Sequence, residues 1–229
     1  MMSYTVIMPT INGAPPKLAA ACFRSIEENV SDDAELIVCA PERPTCGKRW
    51  AWIKQAQDGI GLVDHHRRCR ALLGAASHPE VFIVEHDVLY APGYFDIEAA
   101  SFGYFSYNLN LKTLTPDGYI LHLDPHRKVT SQILGGRSLL EEHFKRALAW
   151  MDSAKPLVRS EPGMKWKVGR EVFPTVAGNA KRQAPLPSID VRWGHNLTGN
   201  RVADTYEDTC NTWGNAQELR KELGIWVTP

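Results

Sequence analysis

The 229-residue sequence has no surplus of charge of either sign, with 26 Lys and Arg against 26 Asp and Glu. That balance excludes a polybasic chain held to nucleic acid by bulk charge. There is no apolar run near the ~20 residues that a membrane helix requires. The start, MMSYTVIMP, lacks the basic region and long apolar stretch of a secretory signal, so a cytoplasmic location with no membrane partner is expected. Cys22, Cys39, Cys46, Cys69 and Cys210 are odd in number, scattered and never in CxxC spacing. A disulfide framework and a thiolate zinc site are therefore both disfavoured. Internal repeats, low-complexity tracts and a glycine-rich phosphate loop are also missing. What is present is globular: 44% hydrophobic and 23% charged residues suffice for a real core and for one domain.

Along the chain, Tyr4 to Met8 reads as a buried strand closed by Pro9, Asn12 and Gly13. Leu18, Cys22, Ile26 and Val30 recur every four residues, which predicts a helix from Pro16 to about Val30 with proline near its start. Glu35 to Ala40 is a second strand, Trp50 to Gln57 a short helix, and His66 to Ser77 a longer one with Leu72, Leu73 and Ala76 on its apolar side. Val81 to Val84 is a third buried strand. Such uniformly apolar strands alternating with helices imply an α/β fold whose mostly parallel central sheet is covered on both faces. Ligands in such sheets sit beyond the carboxyl ends of the strands, so the loops Pro9–Gly13, Pro41–Gly47 and Glu85–Tyr90 should line one crevice. The second half is less regular. Phe102 to Leu114 is strand-like, Pro116-Asp117-Gly118 is a turn, and Tyr119 to Leu123 is a hairpin return. Arg137 to Trp150 is a helix, Lys165 to Val168 and Ile189 to Arg192 are strand-like, and a polar helix runs from about Gly214 to Leu223.

Chemistry concentrates where Val81-Phe-Ile-Val runs into Glu85-His86-Asp87. An unpaired buried carboxylate costs several kcal/mol, so acids at the end of an apolar strand imply a cation or a capped turn. Glu85 and Asp87 lie two apart and point the same way in an extended backbone. Two hard oxygen donors make half a site for Mg²⁺ or Mn²⁺.

The layout resembles the GT-A fold glycosyltransferases that use nucleotide-sugar donors, through the loop Val6-Ile7-Met8-Pro9-Thr10-Ile11-Asn12 and the acidic string after an apolar strand. The resemblance covers about the first hundred residues. It implies that Pro9, Thr10 and Asn12 lie against the nucleoside, and that Glu85, His86 and Asp87 meet the donor, with Asp87 on the metal. Many relatives carry an Asp after the second strand; here the string is Cys39-Ala40-Pro41-Glu42, which leaves Glu42 as the candidate. A second string, Ser188-Ile-Asp-Val-Arg-Trp-Gly-His-Asn-Leu-Thr-Gly-Asn-Arg201, offers His195 as a further metal ligand and Arg201 as a diphosphate partner. The two strings together are similar to those of small phage-encoded glycosyltransferases that modify 5-hydroxymethyl-pyrimidines in DNA. The implied reaction moves a sugar from a UDP-sugar to 5-hydroxymethylcytosine, in the host cytoplasm if the chain is phage-encoded. The implied organisation is a single domain over 1–229, with a donor half at 1–100 and an acceptor half at 101–229. No obligatory protein partner is indicated.

Charge resolved along the chain is consistent with a DNA acceptor. Residues 1–100 hold 9 basic and 13 acidic residues, a net of −4, which leaves +4 for the rest. Lys155 to Arg201 holds nine basic and three acidic residues, a net of +6. Lys165, Trp166, Lys167, Arg170, Lys181, Arg182 and Trp193 are its candidates for DNA contact, by phosphate pairing and base stacking. A solvated basic face is the alternative. In the cluster His65-His66-Arg67-Arg68-Cys69-Arg70, Arg70 is the candidate for donor diphosphate. An extruded base would need aromatic partners, from Tyr104, Phe105, Tyr107, Trp166 and Trp193. An inverting transfer needs a carboxylate base, for which Glu141 or Glu142 at the start of the Arg137 helix is preferred, with Asp124 as a further candidate. Rival readings are a glycosyltransferase of the same fold with a protein, glycan or lipid acceptor, a non-catalytic nucleotide- or DNA-binding module, and a nucleotidyltransferase.

Overall fold

The computed structural model describes residues 3–10, 13–55, 61–96, 103–122, 129–153, 162, 166–168, 171–173, 175–193 and 206–225. The first three apolar runs become β1 (Thr5–Pro9), β2 (Glu35–Ala40) and β4 (Glu80–Ile83), with β3 at Ala51–Lys54 between the last two. α1 (Pro16–Glu27) follows β1, and α2 (Leu62–Ala75) precedes β4. β5 (Val88–Leu89), β6 (Tyr104–Asn108), β7 (Leu111–Leu114), β8 (Ile120–His122) and β9 (Ile133–Gly136) lead to α3 (Arg137–Asp152). β10 (Trp166–Val168) and β11 (Glu171–Phe173) form a separate antiparallel pair. β12 (Gly178–Arg182), β13 (Ser188–Val191), β14 (Tyr206–Glu207), β15 (Thr209–Cys210), β16 (Gly214–Asn215) and α4 (Ala216–Glu222) complete the chain.

The main sheet has seven strands in the order β12-β6-β9-β4-β1-β2-β3. All neighbours pair in parallel except β9, which runs antiparallel to both β4 and β6. The mostly parallel α/β architecture expected from the uniformly apolar strands is therefore the one observed. Alternate side chains of one strand enter different cores. Val6, Met8, Leu36 and Val38 pack with Phe23 and Ile26 of α1, whereas Ile7, Ile37 and Cys39 pack with Leu72 of α2 and Phe144 of α3. Both faces are dry, which is why these strands carry no polar alternation.

A second sheet, in the order β14-β8-β7-β13-β5, shares a core with Leu18 and Cys22 of α1, with Leu219 of α4 and with Leu223 just past the end of that helix. The Pro116-Asp117-Gly118 turn joins β7 to β8, with Gly118 at φ +82°.

Several elements differ from the sequence reading. Ala51–Lys54 is an edge strand parallel to β2, not a helix. Four residues cannot offset the cost of helix nucleation, whereas one ladder along β2 satisfies their backbone. α2 begins at Leu62 and not His66, with Asp64 in its first turn. β9 and β12 carry no apolar alternation (Ile-Leu-Gly-Gly and Gly-Asn-Ala-Lys-Arg) and were not expected as strands.

Candidate functional site

Chain order reverses beside β1, since β2 and β3 lie on one side and β4 returns on the other. Such a switch point opens a crevice at the carboxyl ends of the strands. Backbone bonds hold its walls: Thr10 N–H donates to the Cys39 carbonyl at 3.0 Å, Gln55 N–H to Ala40 at 3.1 Å and Val84 N–H to Ile7 at 3.0 Å. Beside it is a cavity of about 410 Å³ lined by Thr10, Phe23, Glu42, Arg43, Cys46 and His86, among others. Pro9 ends β1, Thr10 is 2% exposed, and Glu42 stands exposed on the rim. Asn12 lies outside the described residues.

Glu85, His86 and Asp87 form the turn between β4 and β5, so the chain passes through them from the first sheet to the second. Val191 N–H of β13 donates to the Asp87 carbonyl at 2.9 Å. That bond brings Asp190, Arg192 and Trp193 to the Asp87 carboxylate, which is 5% exposed. Burial, and then the charge of Asp190, raise the Asp87 pKa, against the opposing influence of His86, Arg192 and the Trp193 indole. Arg192 Nη2 is bonded to Asp190 Oδ2, so its charge is shared with that second acid. Burial, and then the charge of Arg68, lower the pKa of His86, against the pull of Asp87.

The Asp87 carboxylate is a hard oxygen donor at a dry strand end, chemistry that suits a divalent cation, while the charge of Glu85 acts on Tyr90, Tyr94 and Cys69. Among the described residues no group of three or more His, Cys, Asp and Glu side chains is placed to hold a metal ion. The expected third ligand, His195, and the expected diphosphate partner, Arg201, lie outside the described residues.

Several expected residues stand elsewhere. Arg70 is exposed on α2. Its neighbour Arg68 is 4% exposed, donates from Nη1 to Gln55 Oε1 at 2.7 Å beyond the end of β3, and stands close enough to His86 to shift its titration. Arg68 lies one turn before Leu72 on the buried face of α2, a spacing that was readable in the sequence. Glu141 and Glu142 begin α3 at the opposite edge of the sheet. There Gly136 pairs with Glu80 at the amino end of β4, Arg137 N–H donates to the Pro79 carbonyl at 2.8 Å, and Arg137 Nη1 bonds the Ala76 carbonyl. Glu141 pairs with Arg137 and Glu142 with Arg146, so neither acid is brought to the crevice. Asp124 is outside the described residues.

Trp193, expected on a DNA-binding face, is 8% exposed, with its ring 6.5 Å from that of His86. Phe105 and Tyr107 are fully buried core, while Tyr104 is 48% exposed. Lys181 and Arg182 are exposed at the carboxyl end of the edge strand β12. Trp166 and Lys167 lie in β10, and Lys165 and Arg170 are outside the described residues. Asp190 and Arg192, which reach Asp87 through β13, were not among the expected site residues. Their signal was the break that two charges make in an otherwise apolar run from Ile189 to Trp193.

Among the described residues no helix is long and apolar enough to cross a membrane. No protein-family model matches the chain, and no curated protein matches it. Solved structures similar to it include S. aureus TarS 1-349 in complex with UDP-GlcNAc, at 12% identity and a TM-score of 0.49, covering 88% of this chain and 62% of that one. The mannosyltransferase PcManGT from Pyrobaculum calidifontis, in complex with GDP-Man and Mn²⁺, is similar at 14% identity and a TM-score of 0.46, covering 82% of this chain and 56% of that one. The 2-C-methyl-D-erythritol 4-phosphate cytidylyltransferase of Thermus thermophilus is similar at 18% identity and a TM-score of 0.40, covering 69% and 81%. Likenesses this distant carry no argument about activity. The first two are substantially longer than this chain, which spans 62% and 56% of their lengths.

Proposed function

We propose that the protein is a metal-dependent glycosyltransferase that moves a sugar from a UDP-sugar to the hydroxymethyl group of 5-hydroxymethylcytosine in DNA. The observation that carries this reading is the buried Asp87 carboxylate at the switch-point crevice, next to a cavity of about 410 Å³ between the loops after β1 and β2. That volume suits a nucleoside-sized ligand. Thr10 and Glu42 border the space for the nucleoside, and the charge of the buried Arg68 reaches His86 on its lining from the α2 side. Glu85, Asp87 and His195 would hold Mn²⁺ or Mg²⁺, whose chemistry is to neutralise the departing diphosphate. Trp193 and the apolar strand ends exclude water, which strengthens every charge interaction inside. With Glu141 and Glu142 at the far edge, the attacking hydroxyl passes its proton to Asp124 or to the departing diphosphate.

The acceptor side rests on Lys181 and Arg182. Their strand β12 runs parallel to β4, so they stand at the carboxyl edge of the main sheet from which the Glu85–Asp87 turn leaves, with β12 three strand spacings or roughly 14 Å from β4. The test is incubation with a panel of UDP-sugars, Mn²⁺ and either hydroxymethylated or unmodified duplex DNA, followed by digestion to nucleosides and mass spectrometry. Glycosylated 5-hydroxymethylcytosine is expected from the wild type, and none from Asp87→Ala. If no sugar appears on any hydroxymethylated DNA, the acceptor is wrong. Transfer undiminished in Asp87→Ala would remove the metal site.

A further inference from the structure

Every polar atom of Tyr90 is engaged beneath the acidic turn. Its ring is fully buried, 4.7 Å from that of Tyr94 and 5.8 Å from that of Phe95. The backbone N–H donates to Ser25 Oγ at 3.1 Å, and Ser25 Oγ donates to the Cys22 carbonyl at 2.8 Å, which fastens the start of the loop after β5 to α1. The Tyr90 carbonyl accepts from Asn29 Nδ2 at 3.1 Å. The hydroxyl faces back toward the strand end. It accepts the Glu85 N–H at 2.9 Å and donates to the Ser131 carbonyl at 3.1 Å. Tyr94 donates to the same Ser131 carbonyl at 3.2 Å, and among the described residues its hydroxyl has no bond to the turn.

We propose that Tyr90 is a positioning residue for the acidic turn. Its hydroxyl, anchored on Ser131, fixes the Glu85 backbone and so sets where the Glu85 and Asp87 carboxylates present themselves to a divalent cation. The inference rests on the reading of Glu85–Asp87 as the cation-holding turn. It follows from the placement of one rigid group: a loop that changes sheets between Ile83 and Val88 has little ladder of its own, and a buried side-chain hydroxyl supplies the missing constraint. Phenylalanine at 90 keeps the ring packing and removes only the two hydroxyl bonds. Phenylalanine at 94 removes a bond to the same carbonyl and leaves Glu85 held.

The test is calorimetric titration of Mn²⁺ into the protein with saturating UDP, together with thermal melting, for the wild type, Tyr90→Phe, Tyr94→Phe and Asp87→Asn. Both phenylalanine variants are expected to remain folded with melting temperatures a few degrees lower. The Kd for Mn²⁺ should rise about tenfold in Tyr90→Phe and stay at the wild-type value in Tyr94→Phe. An unchanged Kd in Tyr90→Phe, or an equal rise in both variants, overturns the role given to Tyr90. Failure of the wild type to bind Mn²⁺ with UDP, or undiminished binding by Asp87→Asn, overturns the reading of the turn itself.

Discussion

Asp87 keeps a carboxyl group where water hardly reaches, next to another acid whose arginine is already engaged. In the unfolded chain this group ionises at its ordinary value of 3.8, and in the folded protein above it. Between those two values the folded state binds the more protons, so stability falls as pH rises through the window and stays lower above it. At pH 7 without divalent metal, Asp87→Asn should therefore be more stable than the wild type, because it removes the buried charge that burial and Asp190 disfavour. The difference should shrink as pH falls through that window and vanish below the ordinary value of 3.8, where the Asp87 carboxyl is protonated in the folded and the unfolded chain alike. Melting curves across pH check this; a variant less stable than the wild type at pH 7 would mean that Arg192 and Trp193 more than compensate the buried charge. Arg68 teaches a related point at the same scale. Of the three arginines in the His65–Arg70 cluster, the sequence favours none by charge, but helical spacing puts Arg68 on the buried face.

Among the elements, β9 is the one that the sequence conceals and the sheet depends on. It is the antiparallel strand between β4 and β6, and its glycines are poor strand formers by propensity. The structure shows why one is present: a Cβ on Gly135 would lie 2.9 Å from Phe105 Cδ1 and 3.2 Å from Leu140 Cγ. Both neighbours are fully buried and cannot simply move aside. Gly135→Ala should destabilise the protein by about 1–3 kcal/mol, the usual cost of overpacking a closed core. Chemical denaturation measures it, and a neutral result would show that α3 can shift over the sheet. β9 also decides the fate of α3. Because β9 descends from the crevice edge to the opposite one, the helix that follows must start there, and Glu141 and Glu142 go with it. Periodicity identified the helix and left the direction of the preceding strand unknown.

For the whole molecule, zero net charge conceals an acidic first half and a basic segment. If the basic edge of β12 follows DNA phosphates, binding of hydroxymethylated duplex should weaken steeply with salt. Replacing Lys181 and Arg182 together by alanine should weaken it uniformly across sequences. The slope of log K against log salt should become shallower by about 2, given ~0.9 per phosphate contact. Anisotropy titrations at several salt concentrations test this; an unchanged slope would place the DNA elsewhere on the protein.

The sequence by itself determined the parallel α/β core and the crevice loops. Strands buried on both faces must be continuously apolar, and acids at the end of such a strand stand out against it. It also separated the charges along the chain. Only the tertiary structure decided which groups meet at Asp87, because Asp190, Arg192 and Trp193 arrive on a strand a hundred residues away whose pairing partner no local pattern names. It likewise turned Trp193 inward, removed Glu141 and Glu142 from the crevice, and set the Tyr90 hydroxyl under Glu85. Period and propensity act over neighbouring residues, whereas strand order and direction come from how whole elements bury their faces together.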